Sequence, residues 1–410
     1  MDLSIFTDAT PGRLVPINGT DPSGEPWTHA AFIPNPLSRV SPTLSPATYL
    51  VVGNARAALA ALDSTATRLP DPRLFRRPSL QAEAQSTSAL EGTYAPLADV
   101  LIADEDRPAN LDIREVLNYI QMADTAFGWV EAGRPLTVGM LSELQGILVS
   151  RTRGESPSSG SVRDQQVVVG RRSTAAVNDM PVLAARFIPS PPGLDLRANL
   201  QDLLDWMSDE SITKELDPVV AAALGHYQFE ALHPFHDGNG RIGRLLVVLH
   251  LYKLGVLVEP TLTVSPWFEN RRSEYYDYLL GVSARGDWDS YVRFFATGLE
   301  ASARDTHGRM LALVDVQSSL KERVRRSTLR ADTAQALVDF AVSHVSFTAR
   351  SVERSLGISY GRANQLITQL VALGILAPAS TTGSPSRRFF SPPVFEVLAG
   401  SGSARTVGRP

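Results

Sequence analysis

The chain has 410 residues, enough for two or three domains, and its 43% hydrophobic and 20% charged residues are the balance of an ordinary globular protein. It contains no cysteine, which excludes disulfides, thiolate metal sites and cysteine nucleophiles and fits a reducing cytoplasm. A net charge of −4 excludes a polyanion binder acting through its whole surface, no apolar run is long enough to span a membrane, and MDLSIFTDATPG lacks the pattern of a secretory signal.

Residues 1 to about 45 are rich in Pro, Thr, Ser and Gly, and read as extended or loop structure packed over something else. Ala55 to Leu69 has helical spacing and ends at Pro70 and Pro72. Pro78 opens a short helix that Gly92 closes, the usual Pro-first, Gly-last asymmetry. Further helices are expected at about 112–131, 137–149, 194–208, 217–231, 241–255 and 270–281, then one or two across 287–325. Two strand-like runs, Gln166 to Gly170 and Arg186 to Pro189, flank a polar stretch and read as one β-hairpin with a long tip. After about residue 330, Thr348 caps a helix ending at Gly357 and Ser359 caps another running to Gly374; a GILAP segment, a turn and RRFFS follow, the pattern of a winged helix-turn-helix. The fold class expected is mainly α with one hairpin flap and a C-terminal winged helix. The expected divisions are 1–110 (with a helix at about 78–92), a core at 111–305, a helical linker at 306–330, the winged helix at 331–400 and a disordered tail at 401–410.

Chemistry concentrates in His233-Pro-Phe-His-Asp-Gly-Asn-Gly-Arg-Ile-Gly-Arg244, between two apolar-periodic helices. Gly238, Asn239 and Gly240 tolerate positive φ, so successive backbone N–H groups can form a concave nest opening a helix N-terminus, which favours an anion. Arg241 and Arg244 sit on the first turn and reach the same anion, Asp237 offers a hard oxygen for Mg²⁺ on a polyphosphate, and His233 is a base one short loop away. These parts amount to a phosphoryl- or nucleotidyl-transfer site. The literal dinucleotide pattern Gly238-x-Gly240-x-x-Gly243, with Glu259 downstream, requires a strand before Gly238; Val219 to Leu232 has helical period instead. His236 occupies a variable loop position, and a His233/His236 metal pair lacks further ligands at zinc spacing. The basic run Lys321 to Arg330 reads as a solvated helix face or linker.

Positions 233–244 match every fixed place of His-Pro-Phe-x-Asp/Glu-Gly-Asn-Gly-Arg-x-x-Arg, and on these residues the chain resembles the Fic family of protein adenylyltransferases. SVRDQQVVVG with FIPSPP resembles that family's flap, and SPWFENRRSEYYDYL the segment after its core. The resemblance implies that His233 deprotonates a Ser, Thr or Tyr hydroxyl, which attacks the α-phosphate of ATP. Asp237 then holds Mg²⁺, Gly238, Asn239 and Gly240 cradle the phosphates, Arg241 holds the β-phosphate side and Arg244 steadies the γ-phosphate. Val169 matches the flap position over the adenine, with Asn270 and Tyr276 as weaker nucleoside-pocket candidates; tyrosines such as Tyr275 and Tyr276 are more often core packing than nucleotide contacts. The flap tip RRSTAAVNDMPVLAA is long, which bears on target selection.

Thr87-Ser-Ala-Leu-Glu91-Gly92 fits the family's inhibitory pattern. Leu80, Ala84, Thr87 and Glu91 share one helix face, and a carboxylate ending an apolar stripe should be buried and paired. The resemblance supplies the partner, Arg244, and some related enzymes use the equivalent glutamate to position a water that removes AMP. Implied partners are ATP, a hydroxyl-bearing target protein, and the chain itself through self-modification or a homodimer. DNA is a further one: Arg362, Gln365, Gln369, Arg387 and Arg388 of the winged helix suit DNA contact, and the alternative function is a DNA-binding regulator with a nucleotide-sensing core.

Overall fold

Helical periodicity accounts for most of the chain in the computed structural model, which describes residues 1–21, 24–68, 72–104, 107–329, 332–379 and 387–400. The tail at 401–410, the wing tip at 380–386 and Arg330 lie outside the described residues. By internal contact the chain forms two units, each discontinuous in sequence: residues 1–58, 121–257 and 267–301, and residues 59–120, 258–266 and Ser302 onward.

The first unit begins with a hairpin that the sequence reading treats as loop. β1 (Gly12–Thr20) pairs antiparallel with β2 (Pro26–Pro34), Gly12 opposite Pro34. Pro16 and Gly19 within β1 hide its strand character. Gly19 has a steric reason, since a Cβ there would overlap the Trp27 ring. The helices that follow are α1 (Pro46–Arg68), α2 (Arg76–Leu90), α3 (Leu97–Ile102), α4 (Leu111–Glu131) and α5 (Val138–Val149). Next come β3 (Val169–Arg171), α6 (Pro181–Ala184) and β4 (Ala185–Phe187), with Val169 opposite Phe187. This is the expected flap, with shorter strands and a helical turn in its tip. The first hairpin and the flap share a small core of Met1, Ala31, Val182, Ala185 and Ile188, and the terminal amine of Met1 donates to the Val182 carbonyl at 3.0 Å.

At the centre of this unit lie α9 (Pro218–Leu232) and α10 (Asn239–Lys253), reached through α7 (Leu194–Trp206) and α8 (Ile212–Glu215). Both central helices are buried around nearly their whole circumference, beyond the apolar stripe that marks their period in the sequence. Pro at N1 and the Asp217 side chain accepting from the Val219 N–H start α9. After α11 (Ser265–Glu269), α12 (Arg272–Arg285) packs against α9. His226 fastens three helices: Nδ1 meets the Gly243 carbonyl at 3.1 Å and Nε2 meets the Tyr275 hydroxyl at 2.7 Å.

The second unit holds α2, which is buried on every side from Leu80 through Ala84 and again from Ser86 to Leu90, not along one face. Its Glu83 is the buried carboxylate, accepting from the Ser265 backbone at 2.9 Å and from the Ser265 hydroxyl. Glu91 is the exposed C-cap residue, which corrects the expectation that it is buried, while Thr87 is fully buried. Residues 306–326, expected as a linker, continue α13 (Trp288–Arg326) without a break. The C-terminal elements are α14 (Asp332–His344), β5 (Ser346–Thr348), α15 (Ala349–Leu356), α16 (Tyr360–Ala372), β6 (Ala377–Ala379), β7 (Arg388–Phe390) and α17 (Pro392–Ala399), with sheet order β5-β7-β6. The Thr348 and Ser359 caps stand where the sequence puts them; α14, β5 and α17 were not anticipated. Within the unit α14 packs against α2. Arg362 donates to Gln365 and Arg388 to the Ser346 hydroxyl and carbonyl, while Arg387 is exposed. In the basic run, Lys321 pairs with Asp339 at 2.6 Å and Arg326 with Glu322 at 2.8 Å. Among the described residues no helix is long and apolar enough to cross a membrane.

Burial holds His226 neutral down to a pKa of about 3 and His250 down to about 4, against an ordinary 6.5. Because both folded values are depressed, the unfolded chain protonates first. Stability is whole above pH 6.5 and is lost as pH falls toward 4. Each such group predicts a loss on the order of 1 kcal/mol per pH unit through that window, and His29 and His344 are lowered in the same direction. Urea unfolding at pH 7.5, 6 and 5 should show it, and His250→Gln should flatten the slope.

Candidate active site

His233 ends α9 in the left-handed region, with φ 50 and ψ 60. Pro234 explains why the helix stops there, since a residue before proline is pushed out of the α region. A non-glycine residue held left-handed costs about 1 kcal/mol or more, so the surroundings must hold it. Arg163 does so. Its Nε donates to the His233 carbonyl at 2.8 Å, Nη1 to the Gln165 carbonyl at 3.0 Å, and Nη2 to the carbonyls of Ser190 and Leu232. Its backbone N–H donates to the Pro234 carbonyl at 2.9 Å. The side chain is almost wholly buried, and desolvation lowers its pKa to about 10, leaving it cationic at neutral pH.

The loop from Phe235 to Gly238 is equally constrained. The Asn239 side chain accepts from the Phe235 N–H and donates to the Phe235 carbonyl, both at 2.8 Å. Asn239 also brings its backbone N–H to the start of α10. Gly238 is the one left-handed residue of the expected nest, with φ 85, and α10 begins directly after it at Asn239, two residues before the sequence reading starts it. A Cβ on Gly238 would come within 2.6 Å of Leu148 Cδ2. The first turn of α10 therefore presents its open N–H groups beside the loop, as an anion site requires.

Asp237 is half-exposed, accepting from the Gly238 N–H at 2.7 Å and from Arg241 Nη2 at 3.1 Å. Gly154 is a glycine because a Cβ there would run into the Asp237 carboxylate. Arg241 and Arg244 are both buried. The positive charge of Arg244 acts on His226 and Tyr275. His236 lies 3.3 Å from Asp164 at the loop surface.

His233 lines a cavity together with Val169 and Phe187 of the flap and Tyr227, Glu230, Tyr276, Leu280 and Ser283 of the helices. About 50 Å³ of it is open to water-sized contents, room for a few waters. Val169 and Tyr276 share this cavity with His233, whereas Asn270 is exposed and does not line it. Tyr275 is core. Arg163, Glu230 and Ser283 are site residues the sequence reading did not single out. A basic residue just ahead of the flap and a carboxylate three before the motif histidine were the only signals available.

Residues 49–128 match the model described as "Fic/DOC family N-terminal" and residues 135–251 that of the "Fic/DOC family". The chain is 36% identical over 154 residues to protein adenylyltransferase fic-1 of Caenorhabditis elegans, covering 37% of this chain and 25% of that protein. It is 38% identical over 109 residues to protein adenylyltransferase Fic of Drosophila willistoni, 27% of this chain and 20% of that one. The matched region thus spans about a quarter of the length of these relatives. A crystal structure of a Fic family protein from Desulfovibrio desulfuricans superposes with a TM-score of 0.53 at 21% identity, covering 85% of this chain and 97% of that one, a likeness of fold.

Replacing Arg163 with Met removes the donor from carbonyls on three segments at once, those of Ser190 and Leu232 being buried. With about 1–3 kcal/mol for each unsatisfied group, urea unfolding should show a loss of at least about 3 kcal/mol. Hydrogen exchange at the flap base and at Leu232–Phe235 should rise together. A loss below 1 kcal/mol would mean the clamp is redundant.

Proposed function

We propose that this chain, which belongs to the Fic/DOC family through residues 49–128 and 135–251, transfers AMP from ATP to a Ser, Thr or Tyr hydroxyl of a target protein. The observation that carries the reading is the convergence of a base, a carboxylate and a helix N-terminus flanked by two buried arginines within the segment 233–244, beside the cavity that Val169 and Tyr276 share with His233. The adenylyltransferase names of the relatives support the same chemistry.

In this mechanism the target hydroxyl oxygen attacks the α-phosphorus while His233 takes its proton. The new oxygen–phosphorus bond forms as the bond from the α-phosphorus to the α,β-bridging oxygen breaks, and diphosphate leaves. The open N–H groups at the start of α10 and the guanidinium of Arg241 offset the charge on the phosphates, and Arg244 steadies the γ-phosphate. Asp237 is the carboxylate suited to Mg²⁺. Each oxygen carries one hydrogen bond, which leaves lone pairs for a hard cation held mainly by substrate phosphates. Bound there, Mg²⁺ would neutralise phosphate charge. β3 could add a target's backbone as a further strand, a sequence-tolerant way to present a hydroxyl.

Glu91 belongs to the same reading as a brake. A carboxylate that engages Arg244 withdraws it from the γ-phosphate and sets like charge beside that phosphate. Exposure of Glu91 at the end of α2 suits a group that can be displaced. With α-labelled ATP, wild type should incorporate little label and Glu91→Gly at least about tenfold more. His233→Ala in the Glu91→Gly background should lose about 10²–10⁴-fold while still binding nucleotide. Equal labelling of wild type and Glu91→Gly would remove the brake. Undiminished labelling by the double mutant would remove His233 as the base. Asp237→Ala should abolish Mg²⁺-stimulated activity, and retained stimulation would point to another ligand.

A further inference from the structure

We infer that Glu230 is a positioning residue for His233, one helical turn before it on α9, and that it stabilises the imidazolium formed when the base takes the hydroxyl proton. The inference rests on the reading of His233 as the base. Glu230 Oε2 lies 3.9 Å from His233 Nδ1, within ion-pair reach and just beyond hydrogen-bond distance. Their side chains are only 11% and 18% exposed, so the charge between them is poorly screened. Nδ1 is the ring nitrogen on the carboxylate side, so the Glu230 charge acts on the imidazolium from there. A base oriented by a third group behind it is the general logic of an activated nucleophile.

The seat of this carboxylate is built by its neighbours. Gly243 of α10 approaches so closely that a Cβ there would run into Glu230 Oε1. Tyr227 and Tyr276 line the same cavity. The phenols of Tyr275 and Tyr291 are pushed up first by burial and next by the Glu230 charge, so a negative charge reaches both. Tyr227 is likewise pushed up by burial. Those three phenols stay neutral through the range in which an imidazole titrates. The cations facing this region are Arg163, which donates to the His233 carbonyl at 2.8 Å, Arg186, which lines the cavity and pairs with Asp277, and Arg244, whose charge acts on Tyr275. All three oppose protonation of His233, and Glu230 is the group placed to counter them.

An opposite charge at such a distance raises an imidazole pKa by about 1 unit or more. The test is an NMR titration of His233 in the full chain, its ring signal assigned by its loss in His233→Ala. Glu230→Gln should lower the His233 pKa by about 1 unit, and Glu230→Asp, which keeps the charge, should recover part of it. An unchanged titration in Glu230→Gln overturns the inference. In the Glu91→Gly background, Glu230→Gln should reduce kcat about tenfold with little change in KM for ATP, and should move the acid limb of the pH–rate profile to lower pH. A lowered melting temperature with His233 titrating as in wild type would make Glu230 a packing residue and overturn the proposal. Absence of AMP transfer from every variant would instead sink the adenylyltransfer reading, while the titration still decides on Glu230.

Discussion

Four main-chain carbonyls converge on the guanidinium of Arg163, and the geometry of the site depends on that convergence. Two of them, Leu232 and His233, sit at the C-terminal end of α9, where the helix dipole favours a cation. The other two, Gln165 and Ser190, belong to the chain entering and leaving the flap. One buried charge therefore fixes His233 and the flap to each other, and offsets the backbone strain of His233. Burial lowers the Arg163 pKa to about 10, which still leaves the group charged. Planar, forked donors suit this task, and a lysine could not reach so many carbonyls in these directions.

Around this clamp, small residues set distances that larger ones would spoil. Gly238 lets the loop turn against Leu148, Gly154 leaves space for Asp237, and Gly243 leaves space for Glu230. The last two lie beside carboxylates that the proposed reaction uses. The buried neutral His226 ties α9, α10 and α12 without adding charge.

The motif from His233 to Arg244 was legible because each residue type there has a local reason: proline stops a helix, glycine turns the loop, arginines follow at a helix N-terminus. The Thr348 and Ser359 caps and the glycine stops after them were legible for the same kind of reason. The first hairpin was not, because Pro16 and Gly19 break the alternation that marks a strand, and its partner contacts are with the distant flap. α2 misled in another way. Its stripe of Leu80, Ala84 and Thr87 suggested a single buried face ending in a buried Glu91, whereas the helix is buried all round, Glu83 is the withdrawn carboxylate and Glu91 is exposed. Arg163 and Glu230 could not be singled out from sequence, since their importance lies in carbonyls and side chains brought near only by folding.

The central claim is that the nucleotide bond broken at this site is the one at the α-phosphorus. The most direct measurement incubates the Glu91→Gly protein with ATP labelled on the α-phosphate and, separately, on the γ-phosphate, and follows label on protein. The account predicts stable incorporation from the α-label alone, with the γ-label released in diphosphate. Incorporation of the γ-label would make the site a phosphoryl-transfer centre and contradict it.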